Sequence, residues 1–149
     1  MADTDLIKLY SGRILELAAD IPFSERLDAP QASVKRRSPL CGSTVTVDVV
    51  VENERIAAFG QDVKACALGQ AAASVLGAHA IGRSLDEILQ ARDELKAMLK
   101  ADGGVPAPPF DDYEVLIPAR AFKNRHASIM LALEATVEAM EIARQSNCA

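Results

Sequence analysis

The sequence is poor in aromatic residues, and this shortage limits the kind of core that it can build. Aromatic side chains make up 4% of the 149 residues, and tryptophan is absent. Half of the residues are hydrophobic, which is enough for one soluble globular domain of ordinary size. Because rings are scarce and alanine is abundant, we expect closely packed helices rather than an aromatic-rich sandwich, in a single domain over residues 1–149.

Long hydrophobic runs are also missing. No apolar stretch approaches the roughly 20 residues that a membrane-spanning helix needs. The N-terminal stretch MADTDLIKLYSGRI mixes acidic and basic residues and lacks the hydrophobic region of a signal peptide. We therefore expect a cytoplasmic protein without a membrane partner. The three cysteines are far apart and odd in number, which favours free thiols or metal ligands over disulfides.

Positive charge is in short supply as well. The formal net charge is −5, so no general basic field is available to attract nucleic acid, and we expect no nucleic-acid partner. Two short basic runs, KRR and KNR, are either solvated surface or places where a partner docks. A glycine-rich phosphate loop and a serine-nucleophile elbow are both missing from the sequence.

The clearest pattern that is present is a β-hairpin. In STVTVDVVVENERIAAFGQDV, valines alternate with polar residues at the period of a half-buried strand, and ENE marks a turn. This pattern predicts a hairpin over residues 44–63. A further edge strand is expected near residues 32–37, giving a small three-stranded antiparallel sheet.

Helical patterns surround these strands. Residues 4–20 predict an amphipathic helix, and an alanine-rich helix is expected over 65–80. The stretch SLDE is a capping box that opens a helix over 84–100, and a last helix is predicted over 127–144, before a flexible tail at 145–149. The stretch ADGGVPAPPFDDYE predicts a loop. Because strands and helices are segregated, we expect an α+β fold with helices packed on one face of the sheet.

Three residues that could carry chemistry lie at element boundaries. Cys41 precedes the hairpin, and Cys66 begins the alanine-rich helix, where unpaired backbone N–H groups favour a thiolate. His126 begins the last helix. Taken singly, each residue is more often structural, since lone cysteines are commonly small buried hydrophobes. His79, near the end of its helix, is interpreted as structural, and the acidic group at 111–114 as solvated loop.

Considered together, these residues and their flanking segments resemble a known family. The segments are PLCGSTVTVDVVVENERIAAF, CALGQAAASVL and PARAFKNRHASIML. Their order is similar to that of the IscU/SufU/NifU N-terminal scaffold family, over roughly residues 5–143. The long insertion before the last segment looks more like the SufU branch. The resemblance implies an α+β fold built on a small antiparallel sheet.

The resemblance also implies a function. Family members assemble or relay iron–sulfur clusters, accept sulfur from a cysteine desulfurase, and often bind zinc when no cluster is present. By this likeness, Cys41 and Cys66 match the first and second cysteine ligands and His126 matches the histidine ligand. The implied cofactors are zinc or an iron–sulfur cluster, and the implied partners are a cysteine desulfurase and other assembly proteins. Homo-oligomer formation remains open.

The sequence departs from the family at two ligand positions. Ala127 stands where the third cysteine belongs, and Ser43 stands where an aspartate is usual. Two thiolates and one imidazole can hold zinc with one position open, whereas a cluster needs a fourth strong ligand. Cys148 is too far along the last helix to replace Ala127. Three nearby basic residues are candidates for docking a partner or stabilising thiolates: Arg120, Lys123 and Arg125.

Three functions are therefore open. The preferred one is a scaffold or metal and sulfur relay that uses Cys41, Cys66 and His126. The alternative is a metal-free family member that binds or regulates a cysteine desulfurase or another scaffold. The third, an enzyme in which His126 activates a cysteine for thiol transfer, is the least favoured because no substrate pocket is visible in the sequence. The protein is thus expected not to be an enzyme.

Overall fold

A computed structural model describes residues 12–39 and 42–148, with side chains through residue 145. The elements in chain order are α1 (Gly12–Ala19), β1 (Ala32–Arg37), β2 (Thr44–Glu52), β3 (Arg55–Lys64), α2 (Ala67–His79), α3 (Leu85–Lys100) and α4 (His126–Cys148). Two 3-10 helices, Phe110–Ala121 and Lys123–Arg125, precede α4. Cys41 and residues 4–11 of the predicted first helix lie outside the described residues.

The three strands form one antiparallel sheet in the order β1–β2–β3. On its inner face, Val47 pairs with Val34 of β1 and with Gln61 of β3, and all three side chains are buried. The valines at alternate positions of β2 all point to this face, as the period of two predicts. The predicted three-stranded sheet, including its edge strand at residues 32–37, is confirmed.

Asn53 and Glu54 form the turn between β2 and β3. Both have positive φ angles, 54° and 64°, so the two-residue connection matches the right-handed twist of the flanking strands. A register shift between Val50 and Val51 precedes the turn. The predicted turn at ENE therefore forms, and both of its central residues have a left-handed backbone conformation.

The helices cover the inner face of the sheet. Helix α4 contacts β1 and β2, helix α2 contacts β3, and the two helices contact each other. Alanines make this packing close: Ala71, Ala72 and Ala73 of α2 are almost fully buried. The expected α+β architecture, with a small antiparallel sheet and helices packed against it, is confirmed.

The outer face of the sheet is not uniformly exposed, as strand alternation had suggested. Asp48, which the alternation predicts to face solvent, is fully buried beneath the segment that precedes β1. Its carboxylate accepts hydrogen bonds from Arg26 Nε (2.6 Å), the Leu27 backbone N–H (3.0 Å) and Ser33 Oγ. Burial alone would raise the pKa of Asp48, but these hydrogen bonds and the charge of Arg26 together lower it.

The predicted capping box opens α3. The Ser84 hydroxyl accepts from the Glu87 N–H, and the Glu87 carboxylate accepts from the Ser84 N–H. The same carboxylate also pairs with Arg55 of β3 at 2.8 Å and with Arg83 at 2.7 Å. The start of α3 is thereby tied to the hairpin. Although desolvation opposes it, these contacts lower the pKa of Glu87.

Part of the predicted loop is a long 3-10 helix. Its buried side chains recur every three residues, at Phe110, Tyr113, Leu116 and Ala119. That spacing is the period of a 3-10 helix, which has three residues per turn and therefore presents one face to the core. The loop prediction was wrong from residue 110 onward, because glycine and proline at 103–109 masked this periodicity.

The last helix is longer than predicted. It begins at His126 and continues to Cys148, whereas the prediction gave residues 127–144 and a flexible tail. Along the stretch whose side chains are described, one face of α4 carries buried Met130, Leu133, Val137 and Met140. Among residues 12–39 and 42–148, none of the helices has both the length and the apolar character required to cross a membrane.

Candidate metal site

Three polar side chains from distant parts of the sequence meet at one end of the sheet. Cys66 Sγ lies 3.6 Å from Ser128 Oγ, and Ser128 Oγ donates a hydrogen bond to Ser43 Oγ at 3.1 Å. Both serines are buried, and the thiol is half-buried. These contacts join the entrance of β2, the start of α2 and the first turn of α4.

The entrance of β2 is a tight loop closed by backbone hydrogen bonds. The Ser38 N–H donates to the Ser43 carbonyl at 2.8 Å, and the Gly42 N–H donates to the Ser38 carbonyl at 2.9 Å. Gly42 has a φ of +68°, a conformation that glycine adopts at little cost. The loop therefore fixes Ser43, two residues after Cys41, against the core.

Cys66 lies at the start of α2, as predicted, but as its N-cap residue, because the helix begins at Ala67 rather than at residue 65. Its backbone is extended (φ −67°, ψ 170°), and its side chain caps no backbone N–H of the helix. The thiol turns toward α4 and Ser128 instead. Gly69, one turn further along α2, allows this approach, because a Cβ there would lie 2.6 Å from Ser128 Oγ and 2.8 Å from Ala65 Cβ.

His126 is buried at the first residue of α4. Its Nε2 donates to the Ala119 carbonyl at 2.9 Å, at the end of the long 3-10 helix. A neutral imidazole that donates from Nε2 keeps its lone pair on Nδ1. Metal-binding histidines commonly show this arrangement, in which a backbone carbonyl fixes the ring and its tautomer. The 3-10 helix missed by sequence reasoning thus orients a predicted ligand.

The two substituted ligand positions supply no strong donor. Ala127 is exposed and has no donor atom, and the Ser43 hydroxyl accepts from Ser128 within the buried cluster. Among the described residues, which exclude Cys41, no three His, Cys, Asp or Glu side chains are grouped as a metal site would require. The predicted donors remain Cys66, His126 and Cys41, a set whose chemistry would suit zinc with one open position.

Ser128 was missed by the sequence reasoning. It is two residues after His126 in an otherwise apolar helical run, and a small polar residue on such a face is the signal that could have identified it. Within the described part of the chain, the hydrogen-bond partner of Cys66 is Ser128 rather than His126. This contact does not support the activated Cys–His pair that a thiol-transfer enzyme would need.

The three basic candidates have different surroundings. Arg120 donates to the Met98 carbonyl and, at 2.7 Å, to the Gly103 carbonyl, so its guanidinium holds the loop after α3. Lys123 is exposed and Arg125 is partly exposed, both in the short 3-10 helix before His126. Arg120 is therefore engaged in hydrogen bonds within the fold, whereas Lys123 lies at the surface.

His79 lies away from this cluster. Its Nε2 lies 3.2 Å from Asp112 Oδ2, and its ring makes an edge contact with Phe110, with ring centroids 6.0 Å apart. These contacts join the end of α2 to the long 3-10 helix. The structural interpretation of His79 agrees with them, while Asp112, predicted as solvated loop, takes part in this junction.

Comparison with known proteins shows which solved structures have a similar fold. Neither the protein-family models nor the curated proteins contain a match. Among solved structures, the chain is similar to the N-terminal part of a nitrogen-fixing NifU-like protein from Brucella abortus. The two are 38% identical, the TM-score is 0.92, and the alignment covers 95% of this chain and 98% of that one.

Two more distant structures share the fold. One, from the thermophilic Fervidobacterium islandicum AW-1, is described as an iron–sulfur cluster assembly scaffold protein for the SUF system. It is 18% identical with a TM-score of 0.76, covering 90% of this chain and 98% of that one. A hypothetical protein is 22% identical with a TM-score of 0.78, covering 91% and 98%.

The fold is therefore that of the NifU-like and SufU-like proteins. On the identity and coverage shared with the Brucella abortus protein, this chain belongs to the IscU/SufU/NifU-like family.

Proposed function

We propose that this chain works in iron–sulfur cluster assembly as a scaffold-type carrier. Cys41, Cys66 and His126 bind the cargo, which is zinc, iron or a cluster, at the end of the sheet where β2, α2 and α4 begin. The family membership supports the general role, since the Fervidobacterium islandicum relative is described as an assembly scaffold. The protein acts by holding and passing on its cargo rather than by catalysing a reaction, and it does so in the cytoplasm.

One observation carries the proposal: the hydrogen-bonded cluster of Ser43, Cys66 and Ser128. Cys66 is itself a proposed ligand. Ser43 lies two residues after Cys41, and Ser128 lies two residues after His126, which are the other two proposed ligands. Segments that are 85 residues apart in sequence therefore meet where the ligands are needed. The fixed ring of His126 adds a second donor with a defined tautomer.

The ligand set suggests how the cargo is held. Three donors leave one position of a tetrahedral zinc ion open, which water, a small thiol or a residue of a partner can fill. A cluster needs four strong ligands, so Ala127 makes stable storage of a cluster by this chain alone unfavourable. We infer that the site passes its cargo on, with a partner completing the coordination during transfer.

The proposed partner is a cysteine desulfurase. It docks on this chain at the short 3-10 helix before His126. Lys123 and Arg125 lie there at the surface, three residues and one residue before the proposed ligand, respectively. In a chain of net charge −5, this local positive charge favours an acidic surface on the partner. Docking at this position would bring the donor of sulfur next to the ligands.

The test is metal analysis of protein purified without chelator. Wild-type protein is expected to contain zinc or iron, and Cys66→Ser and His126→Gln to lose most of it. The chain offers matched controls, since Cys148→Ser and His79→Gln remove the same residue types outside the proposed site. Absence of metal from the wild type, or equal metal in Cys66→Ser, would overturn the proposed ligand set.

A second candidate function is a metal-free regulator that binds the desulfurase or another scaffold. The exposed Ala127 and the buried Ser43 favour it, because both family ligand positions lack a strong donor. A pull-down separates the two functions. Equal capture of a cysteine desulfurase by the wild type and by the Cys41→Ser, Cys66→Ser double variant, together with no metal, would favour the regulator.

A further inference from the structure

The buried hydroxyls of Ser43 and Ser128 need partners, and their mutual arrangement is specific. The two residues are 4% and 1% exposed, and an unpaired hydroxyl at such a depth is costly. Ser128 Oγ donates a hydrogen bond to Ser43 Oγ and lies 3.6 Å from Cys66 Sγ. The serines therefore form a continuous polar connection from the β2 entrance to the thiol.

The geometry of Ser128 depends on the glycine opposite it. Because Gly69 has no Cβ, the α2 backbone comes close enough for Ser128 Oγ to occupy the space that a side chain would fill. The Ser128 carbonyl would also lie 3.2 Å from such a Cβ. The first turn of α4 is thus pressed against the first turn of α2, which fixes the distance between the hydroxyl and the thiol.

We propose that Ser128 is a positioning residue for Cys66 and that Ser43 anchors Ser128, rather than binding metal in place of the usual carboxylate. This inference rests on the proposed function of the site. Ser43 is already an acceptor within the cluster, and a neutral serine hydroxyl is a weak metal ligand. Its role is to hold the Ser128 oxygen at the distance from Sγ that the structure has.

A hydroxyl can form a hydrogen bond with Cys66 whether its sulfur is a thiol or a thiolate. Ser128 has one proton and two lone pairs, so with its proton on Ser43 it can accept from the Cys66 S–H. If Cys66 bound metal as a thiolate, the Ser128 hydroxyl could rotate and donate to the sulfur, and Ser43 Oγ could in turn donate to Ser128 Oγ, so that the two serines stay hydrogen-bonded. Hydrogen bonds to a ligand atom fix its orientation, and removing them typically lowers metal affinity about 10- to 100-fold.

The test compares Zn²⁺ affinity in Ser128→Ala with that in a matched control. Thr136 is a second buried hydroxyl on α4, and it donates only within its own helix, to the Ala132 carbonyl at 2.8 Å. Ser128→Ala is expected to weaken Zn²⁺ binding about 10- to 100-fold. Thr136→Ala is expected to leave the affinity unchanged, although each variant loses one buried hydroxyl.

Co²⁺ provides a readout that a merely structural role would not change in the same way. Absorption from sulfur-to-cobalt charge transfer reports thiolate ligands directly. Ser128→Ala is expected to keep this band at saturating Co²⁺, because Cys66 still binds, but to shift its position and weaken the affinity. Cys66→Ser is expected to lose about half of its intensity, since one of the two proposed thiolates is removed.

The role of Ser43 is tested by combining the two substitutions. If Ser43 acts through Ser128, Ser43→Ala weakens Zn²⁺ binding in the wild type but adds little in the Ser128→Ala background. Full additivity would show that Ser43 acts independently of Ser128 and would overturn the anchoring role. Equal Zn²⁺ affinity of Ser128→Ala and Thr136→Ala would overturn the positioning role.

These outcomes are distinguishable from failure of the proposed function. A wild-type protein that binds neither Zn²⁺ nor Co²⁺ would overturn the metal site and the positioning role with it. A wild type that binds both ions while Ser128→Ala binds them equally well would overturn the positioning role alone. The thermal midpoints of the metal-free variants check that all of them are folded.

Discussion

Cys66 Sγ and Ser128 Oγ lie 3.6 Å apart although 62 residues separate them in sequence. The contact joins the first residue before α2 to the first turn of α4, and it brings two of the proposed ligand segments together. Ser43 extends it to the segment of Cys41. Because the contact depends on the packing of two helices, the candidate site is coupled to the core. Substitutions can nevertheless test the site and the core separately.

Ala127→Cys is expected to strengthen metal binding. Ala127 is exposed beside His126, so a cysteine fits without disturbing the core and supplies the missing thiolate. A fourth protein ligand closes the tetrahedral site, and we expect Zn²⁺ affinity to rise by at least about tenfold. Competition with a chromophoric chelator measures the change.

Ala78→Cys is the matched control for this gain. It places a thiol at an exposed position near the other end of α2 and is expected to leave the affinity unchanged. An Ala127→Cys protein that binds Zn²⁺ no more tightly than Ala78→Cys would show that residue 127 does not face the metal.

Gly69→Ala is expected to destabilise the fold and to weaken metal binding together. The new Cβ would overlap Ser128 Oγ and Ala65 Cβ, so α2 and α4 must separate. Overpacking of this kind typically costs about 1–3 kcal/mol, which outweighs the better helix propensity of alanine. Urea denaturation and Zn²⁺ titration of the same preparation measure both effects.

Gly12→Ala provides the comparison, since no atom of residues 12–39 or 42–148 lies within 4 Å of a Cβ at that point of α1. It is expected to be neutral or slightly stabilising. If Gly69→Ala behaves like Gly12→Ala in both measurements, the close approach of the two helices does not hold Ser128 in place.

Much of the fold could be predicted from the sequence because its signals are local. Alternating valines identify β2, and Ser84 with Glu87 identifies the start of α3. The burial of Asp48 could not be predicted, because Arg26 and Leu27 come to it from a segment without regular periodicity. Tertiary contacts there override the alternation of the strand.

The site could be predicted only in outline. Cys66 and His126 follow from element boundaries and from family likeness, which also assigns Cys41. Ser128 has a sequence signal, a small polar residue in an apolar run, but its contact with Cys66 and the close approach at Gly69 could not be foreseen. Both depend on how closely α2 and α4 approach, a distance that one sequence does not encode locally. The carbonyl that orients His126 belongs to a 3-10 helix whose three-residue period is masked by the glycines and prolines that precede it.

Asp48→Asn is expected to destabilise the protein at neutral pH and progressively less in acid. The hydrogen-bonded carboxylate has a pKa below its ordinary value of 3.8, so its stabilisation is present above that pH. It is lost as the pH falls through the lowered value. We expect a loss of about 1–3 kcal/mol at pH 7 for the buried carboxylate.

Urea denaturation at pH 7 and pH 3 measures this difference, with the exposed Asp28→Asn as control. The gap in unfolding free energy between the wild type and Asp48→Asn should be smaller at pH 3 than at pH 7. A gap that is equal at both pH values, or larger in acid, would contradict the lowered pKa.

Lys123→Glu with Arg125→Glu is expected to weaken binding to the proposed partner, a cysteine desulfurase. Removal of surface charge near a docking site slows association and reduces its dependence on salt. Association rates at low and high ionic strength test this, with Lys96→Glu on α3 as control. Equal rates for both charge variants would exclude the short 3-10 helix from the docking surface.

Extended X-ray absorption fine structure of the zinc-loaded wild type tests the proposed site most directly. Coordination by Cys41, Cys66, His126 and one further light atom predicts two sulfur neighbours at about 2.3 Å, with nitrogen or oxygen at about 2.0–2.1 Å. Cys66→Ser should reduce the sulfur count to one, and Cys148→Ser should leave it at two. A zinc spectrum with nitrogen and oxygen neighbours alone, or one unchanged by Cys66→Ser, would contradict the site.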